Sequence, residues 1–289
     1  MSGGPDSLAL LLLAAAAFPG RVEAATVDHG LRSESGEEAL FAASVCASLG
    51  VVHAILKITW ETPPEANVQG EARERRYAAL GDWAMRRGLS AVATAHHADD
   101  QAETVLMRLG RGAGVRGLGG IRPSRPLSGG VELLRPLLGW RREELRRVVD
   151  GAGISPVEDP SNRDDRYLRT GVRELLARSP LLDAQRLADS AANCRSADEA
   201  LEWIAAREAG IRTTRADNKL ELNAEGLPRE ILRRILVRIF CDYGAKEPAG
   251  PDLIRAINML EQGGVTTLSG LKLEGGQTWT ISPAPPRRS

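Results

Sequence analysis

The chain opens with an apolar run over residues 8–18, closed by Pro19-Gly20, which reads as one buried helix. Short apolar stretches then alternate with amphipathic ones. Residues 22–27, 51–58 and 89–95 read as buried strands. Leu40, Phe41, Val45 and Leu49 recur at helical spacing behind Ser35. Glu37 and Glu38 fall in the first turn of that helix and Gly50 closes it. Further helices are expected over residues 69–87 and 100–109, after a Pro-rich loop at 62–66. This alternation predicts an α/β fold: a parallel sheet flanked by helices. Ligands of such sheets bind at the carboxyl ends of the strands. The polar clusters at Ser2–Ser7, Asp28–Arg32 and His96–Glu103 each fall at a helix start or just after a strand, so they should converge on one edge.

The pattern changes downstream. Residues 110–117 are too rich in glycine for a helix and read as a linker or a loop that closes on a polyanion. Helices are expected over 141–149, 165–178, 182–208, 229–243 and 252–260, with a turn at 158–162. A strand is expected at 219–222, and short strands broken by glycines over 265–282 form a hairpin or meander. Ser179-Pro180 is the expected boundary between a domain at 1–178 and a smaller helical and hairpin region at 179–289. The tail from Pro283 reads as disordered.

Composition adds little to the class but locates charge. The 289 residues are 43% hydrophobic and 26% charged, ordinary globular material. Basic and acidic residues balance at 38 each. Residues 1–100 nevertheless hold 8 Lys/Arg against 13 Asp/Glu, and residues 101–150 hold 10 Arg against 5 acids. The second stretch suits either a solvated helix face or a phosphate backbone. Cys46, Cys194 and Cys241 form no CxxC, which excludes a zinc knuckle or redox pair and suits a reducing cytoplasm. No Lys or Arg precedes the first apolar run, so it is not a signal peptide. It is also about half the ~20 residues of a membrane span.

The candidate chemistry begins at Ser2-Gly3-Gly4-Pro5-Asp6-Ser7. Adjacent glycines at a helix start bring backbone N–H groups to an anion, although the same residues make an ordinary cap. No GxxxxGK[ST] loop occurs. Asp28 after its strand suits a magnesium ion held on phosphates, or a turn. Asp99, Asp100 and Glu103 crowd His96 and His97, with Asp100 and Glu103 on one helical face. Such a pair suits an amine or a metal ion, while helix capping is the plainer use. No HExxH pair supports zinc. Arg73, Arg75 and Arg76 share one turn, and Arg166, Arg169 and Arg173 form a basic stripe. No GxSxG elbow or cysteine–histidine pairing supports a nucleophilic hydrolase.

Together these strings resemble the tRNA(Ile)-lysidine synthase family of PP-loop ATP pyrophosphatases. The resemblance rests on SGGPDSLAL, VDHGLRSES, the block at Ala72–Tyr77, TAHHADDQAETVLMRLGRGAG, LLRPLLGWRREEL and EDPSN, over residues 2–175. It implies adenylation by ATP of the wobble cytidine in a CAU-anticodon tRNA(Ile), followed by attack of free L-lysine. It implies that Ser2, Gly3, Gly4, Pro5, Asp6 and Ser7 hold ATP. Asp28 would act at the Mg–phosphate site. Asp100 and Glu103 would be catalytic and receive lysine. Arg73, Arg76, Arg111, Arg169 and Arg173 would steer phosphates or tRNA, with the region after residue 178 contacting tRNA. A cytoplasmic location follows, and a dimer is left open. Two departures are expected to matter. The family's apolar strand before SGGxDS is missing from a chain that starts at Met1, and Arg169-Thr170-Gly171-Val172-Arg173 replaces a more basic string. The alternatives are a tRNA- or nucleotide-binding remnant and another PP-loop tRNA-modifying enzyme.

Overall fold

The computed structural model describes residues 1–28, 35–58, 60, 68–156 and 166–285. The readings made for His29–Arg32, the loop at 62–66, the turn at 158–162 and residues 286–289 of the tail lie outside them, whereas Pro283, read as the start of a disordered tail, pairs with Leu271 at the end of a strand. The chain divides into two compact units, Met1–Arg195 and Ser196–Ser289.

The first unit begins with α1 (Pro5–Ala17), β1 (Glu23–Asp28), α2 (Ser35–Ser48), β2 (Val52–Lys57), α3 (Val68–Arg86), β3 (Ala91–Ala93) and α4 (Ala98–Leu109). It continues with α5 (Val115–Leu118), β4 (Ser124–Pro126), β5 (Glu132–Leu134), α6 (Arg142–Gly151) and α7 (Arg166–Arg178). The long α8 (Ala184–Arg212) then runs into the second unit. β1 pairs with β2 in parallel, from Glu23↔Val52 to Asp28↔Lys57. β3 pairs with β5 in parallel, while β4 adds an antiparallel edge to β5. The strands therefore form two ladders.

Successive side chains of β1 serve opposite faces. Ala24 packs with Leu8, Leu11, Val45, Cys46, Leu145 and Val149 of α1, α2 and α6. Ala25 packs with Tyr77, Leu80, Trp83, Val92 and Leu133 of α3, β3 and β5. Burial on both faces explains why the strands read as short apolar runs.

Two sequence expectations fail locally. Leu40 is 65% exposed, whereas Val45 is buried with Ala39, Ala42 and Cys46, and Phe41 and Leu49 pack against the same core as expected. The glycine-rich segment contains a helical turn, α5. Arg108 Nη1 donates to the carbonyls of Gly117 and Gly120 at 2.8 and 2.9 Å, which holds that turn against α4.

The second unit contains β6 (Thr213–Ala216), β7 (Lys219–Leu222), α9 (Arg229–Asp242), α10 (Gly250–Glu261), β8 (Val265–Leu268), β9 (Leu271–Glu274) and β10 (Trp279–Pro283). Its antiparallel sheet runs β6-β7-β10-β9-β8. β6 was not anticipated; Asp217, with φ 52°, makes the two-residue turn that pairs it with β7. Leu222, Ile235, Leu236, Phe240, Leu253, Leu273 and Ile281 form its core. Arg234 is buried on α9 and bonds Asp198 and Glu230 at 2.7 Å and Glu202 at 2.8 Å. Among the described residues no helix is long and apolar enough to cross a membrane.

Candidate functional site: a glycine loop and an acidic helix joined by a buried histidine

The loop Ser2–Ser7 enters α1 directly. Gly3 takes φ 73°, a conformation that favours glycine. Pro5 occupies the first turn of the helix, where its missing N–H costs nothing. The Ser7 hydroxyl donates to the Gly4 carbonyl at 3.0 Å and accepts from the Ser2 backbone N–H at 3.2 Å. The loop is thus folded back on its own helix. Its N–H groups and the positive end of α1 suit phosphate.

The second part of the site is the start of α4. Asp100 accepts the His97 N–H at 3.0 Å, so it is a capping carboxylate. Asp99 accepts the Arg142 N–H at 2.8 Å and lies 3.5 Å from the Arg141 guanidinium, which ties α4 to α6. Glu103 is buried, and Arg173 of α7 reaches it with Nε at 2.6 Å. Arg142 approaches the same carboxylate at 3.7 Å. Arg173, expected to steer phosphate or tRNA, is bonded to Glu103.

The two parts meet at His97, whose side chain is fully buried. Its Nε2 lies 3.5 Å from both Asp6 of the loop and Asp100, and its Nδ1 lies 3.5 Å from Asp99. These are ion-pair distances; neither ring nitrogen has a well-formed hydrogen bond. Burial alone disfavours the charged ring. Asp6 and Asp99, with the nearby charge of Asp100, outweigh it and raise the imidazole to about 9. Burial pushes Asp99 up, but His97, the Arg142 N–H and Arg141 hold it well below the usual carboxylate range. Asp100 shifts upward because its burial outweighs His97. His96, by contrast, is driven down to about 3 by burial and by Arg135, Arg73 and Arg76.

Sequence reasoning placed Asp100 and Glu103 in the site but assigned His97 no role. Its signal was present, since a histidine between a strand and three acids is a natural counterion. Only the fold showed that Asp6, more than 90 positions earlier, shares it. Asp28 ends β1, half-buried. Arg73 and Arg76 lie on α3 beside Tyr77, and Arg111 is exposed just after α4. Arg169 lies on α7.

A family model described as the PP-loop domain matches residues 1–179. A tRNA(Ile)-lysidine synthase of Novosphingobium aromaticivorans is 48% identical over 295 residues, covering all of this chain and 89% of that protein. The tRNA(Ile)-lysidine synthase of Zymomonas mobilis is 45% identical over 293 residues, covering all of this chain and 88% of that protein. Among solved structures, a U34-tRNA thiolase from Methanococcus maripaludis superimposes with a TM-score of 0.52 at 18% identity. It covers 67% of this chain and 68% of that one, a likeness of fold. A phosphate-type loop joined to an acidic helix start, with this identity along the whole length, means that the chain belongs to the tRNA(Ile)-lysidine synthase family of PP-loop proteins.

Proposed function

We propose that the chain ligates lysine to C2 of the wobble cytidine of a CAU-anticodon tRNA(Ile) in two steps, the first of which consumes ATP. One observation carries the reading: Asp6 of the glycine loop and Asp99 and Asp100 of the acidic helix share one buried histidine. The nucleotide loop and the amine-binding carboxylates are therefore parts of a single site.

In the first step the C2 oxygen of cytidine attacks the α-phosphorus of ATP and pyrophosphate leaves. The N–H groups of the Ser2–Ser7 loop and the end of α1 stabilise charge on the phosphates, with little covalent work by the protein. Asp28 fits a magnesium ion that arrives already bound to phosphates, since such ions use one or two protein carboxylates. In the second step the lysine ε-amine attacks C2, and AMP departs with the former C2 oxygen. Asp100 and Glu103 receive the ammonium, and Asp100, with its raised proton affinity, takes the proton that the amine must lose. Arg173 holds the Glu103 carboxylate in place through its Nε–H. Arg73, Arg76, Arg111 and Arg169 supply positive charge for the tRNA backbone, and the region after residue 178 extends that contact. The reaction belongs in the cytoplasm, where tRNA, ATP and lysine meet.

The test incubates the purified chain with ATP, Mg²⁺, labelled lysine and a CAU-anticodon tRNA(Ile). Lysine joined to tRNA and stoichiometric AMP are expected. Neither product, with tRNA binding retained, overturns the ligase in favour of a binding protein.

A further inference from the structure

A second group of charges lies around Tyr77, on α3. The guanidinium carbons of Arg73 and Arg76 lie 5.2 Å from its ring centroid, and that of Arg125 lies 4.4 Å away. Arg73 and Arg76 come from the same helix as the tyrosine, whereas Arg125 comes from the edge strand β4. Arg135, just after β5, completes the group from below; its Nη1 donates to the Arg122 carbonyl at 2.6 Å, which fixes the side chain. Tyr77 is 4% exposed and Arg135 6%.

This arrangement is incomplete as it stands. Among the described residues none of the four arginines has a carboxylate within ion-pair distance. The Tyr77 hydroxyl and Arg135 are buried against each other, although neither the hydroxyl nor Arg135 Nε makes a well-formed hydrogen bond. Buried polar groups are normally satisfied, and a buried phenol–guanidinium contact ringed by further cations with no carboxylate points to an anionic ligand. A ring of cations around one phenol gains from cation–π attraction, but that does not offset four like charges converging in a half-dry pocket. His96, kept neutral first by its burial and then by Arg135, Arg73 and Arg76, gives the group no negative neighbour on that side. Arg73 and Arg125 are exposed and Tyr77 and Arg135 are buried beneath them, so an anion can be met first by the two exposed guanidinium groups.

We propose that Arg73, Arg76, Tyr77, Arg125 and Arg135 form a phosphoryl-binding nest separate from the glycine loop. It deepens the proposed reaction by giving Tyr77, Arg125 and Arg135 a role and by enclosing Arg73 and Arg76 in a specific site. Two sources carry the required chemistry: the pyrophosphate end of the nucleotide and a phosphodiester of tRNA.

The test reads binding and so does not depend on turnover. Arg125→Met removes one exposed cation from a short edge strand, and Tyr77→Phe removes only the hydroxyl; neither deletes a large part of the core. Each variant and the unaltered chain are titrated with pyrophosphate by calorimetry and with a tRNA(Ile) transcript by filter binding over a salt series. Arg125→Met is expected to weaken one ligand roughly tenfold, and Tyr77→Phe to weaken the same ligand several-fold. Loss on pyrophosphate assigns the nest to the nucleotide. Loss on tRNA, with the salt slope for Arg125→Met reduced by about 1, assigns it to the backbone. Affinities unchanged within about twofold for both ligands in both variants overturn the nest and leave the ligase reading standing. Weakened binding in variants of a chain that makes no lysidine overturns the ligase reading and leaves the nest.

Discussion

His97 sets the size of the electrostatic coupling in this site, and replacing it with glutamine tests that coupling directly. The ring is fully buried against three carboxylates at 3.5 Å, and its proton affinity rises from the ordinary 6.5 to about 9. Each pH unit between folded and unfolded values is worth about 1.4 kcal/mol, so protonation contributes about 3 kcal/mol to the folded state. The sign follows from the direction. A raised value means the contribution is complete below the unfolded value and is lost as pH rises through the folded one. His97→Gln is therefore expected to cost about 3 kcal/mol near pH 6, about 2 near pH 7.5 and under about 0.5 near pH 9.5. Urea series sampled with a brief pulse of protease measure this, because the surviving fragment of the first unit is scored separately from the second. A destabilisation that is the same at all three pH values would refute the charge argument and leave only packing. A variant as stable as the parent near pH 6 would refute it outright.

Asp100→Asn should raise the KM for lysine at least about tenfold while ATP binding is unchanged, because a charge-assisted contact to the ammonium is removed. Equal loss of both ligands in equilibrium titrations would overturn that division of roles. In the unaltered chain lysine affinity should fall on acidification sooner than an ordinary aspartate allows, since burial raises the affinity of Asp100 for a proton. In the second unit, Arg234→Met removes the cation that bonds the buried Asp198 carboxylate. The expected cost is about 3–5 kcal/mol, and pairing the change with Asp198→Leu should recover part of it. Thermal melts of the single and double variants check this, and equal melting temperatures for the two would count against the argument.

The phosphate-type loop, the alternation of strands and helices, and the acidic helix start were all legible in the sequence. Each depends on neighbours close in the chain: glycines that permit Gly3 its φ of 73°, an apolar run that buries α1, and carboxylates three residues apart on α4. On α2 only Leu40 was misplaced: Val45, Phe41 and Leu49 pack on the core as their spacing predicts, while Ala39 and Ala42 take the inward positions beside them. β6 was invisible because its Thr213–Ala216 run has no apolar period and gains its place from pairing with β7. The partners of charges were equally out of reach. The Arg173–Glu103 bond spans 70 positions, the Asp6–His97 contact spans 91, and Arg125 meets Tyr77 only because β4 folds back on β5. Local sequence determines which groups are available and which segments bury them. Whether an arginine meets a carboxylate, a phenol or solvent depends on Coulomb and packing interactions between distant segments, and those are decided only when the chain has closed.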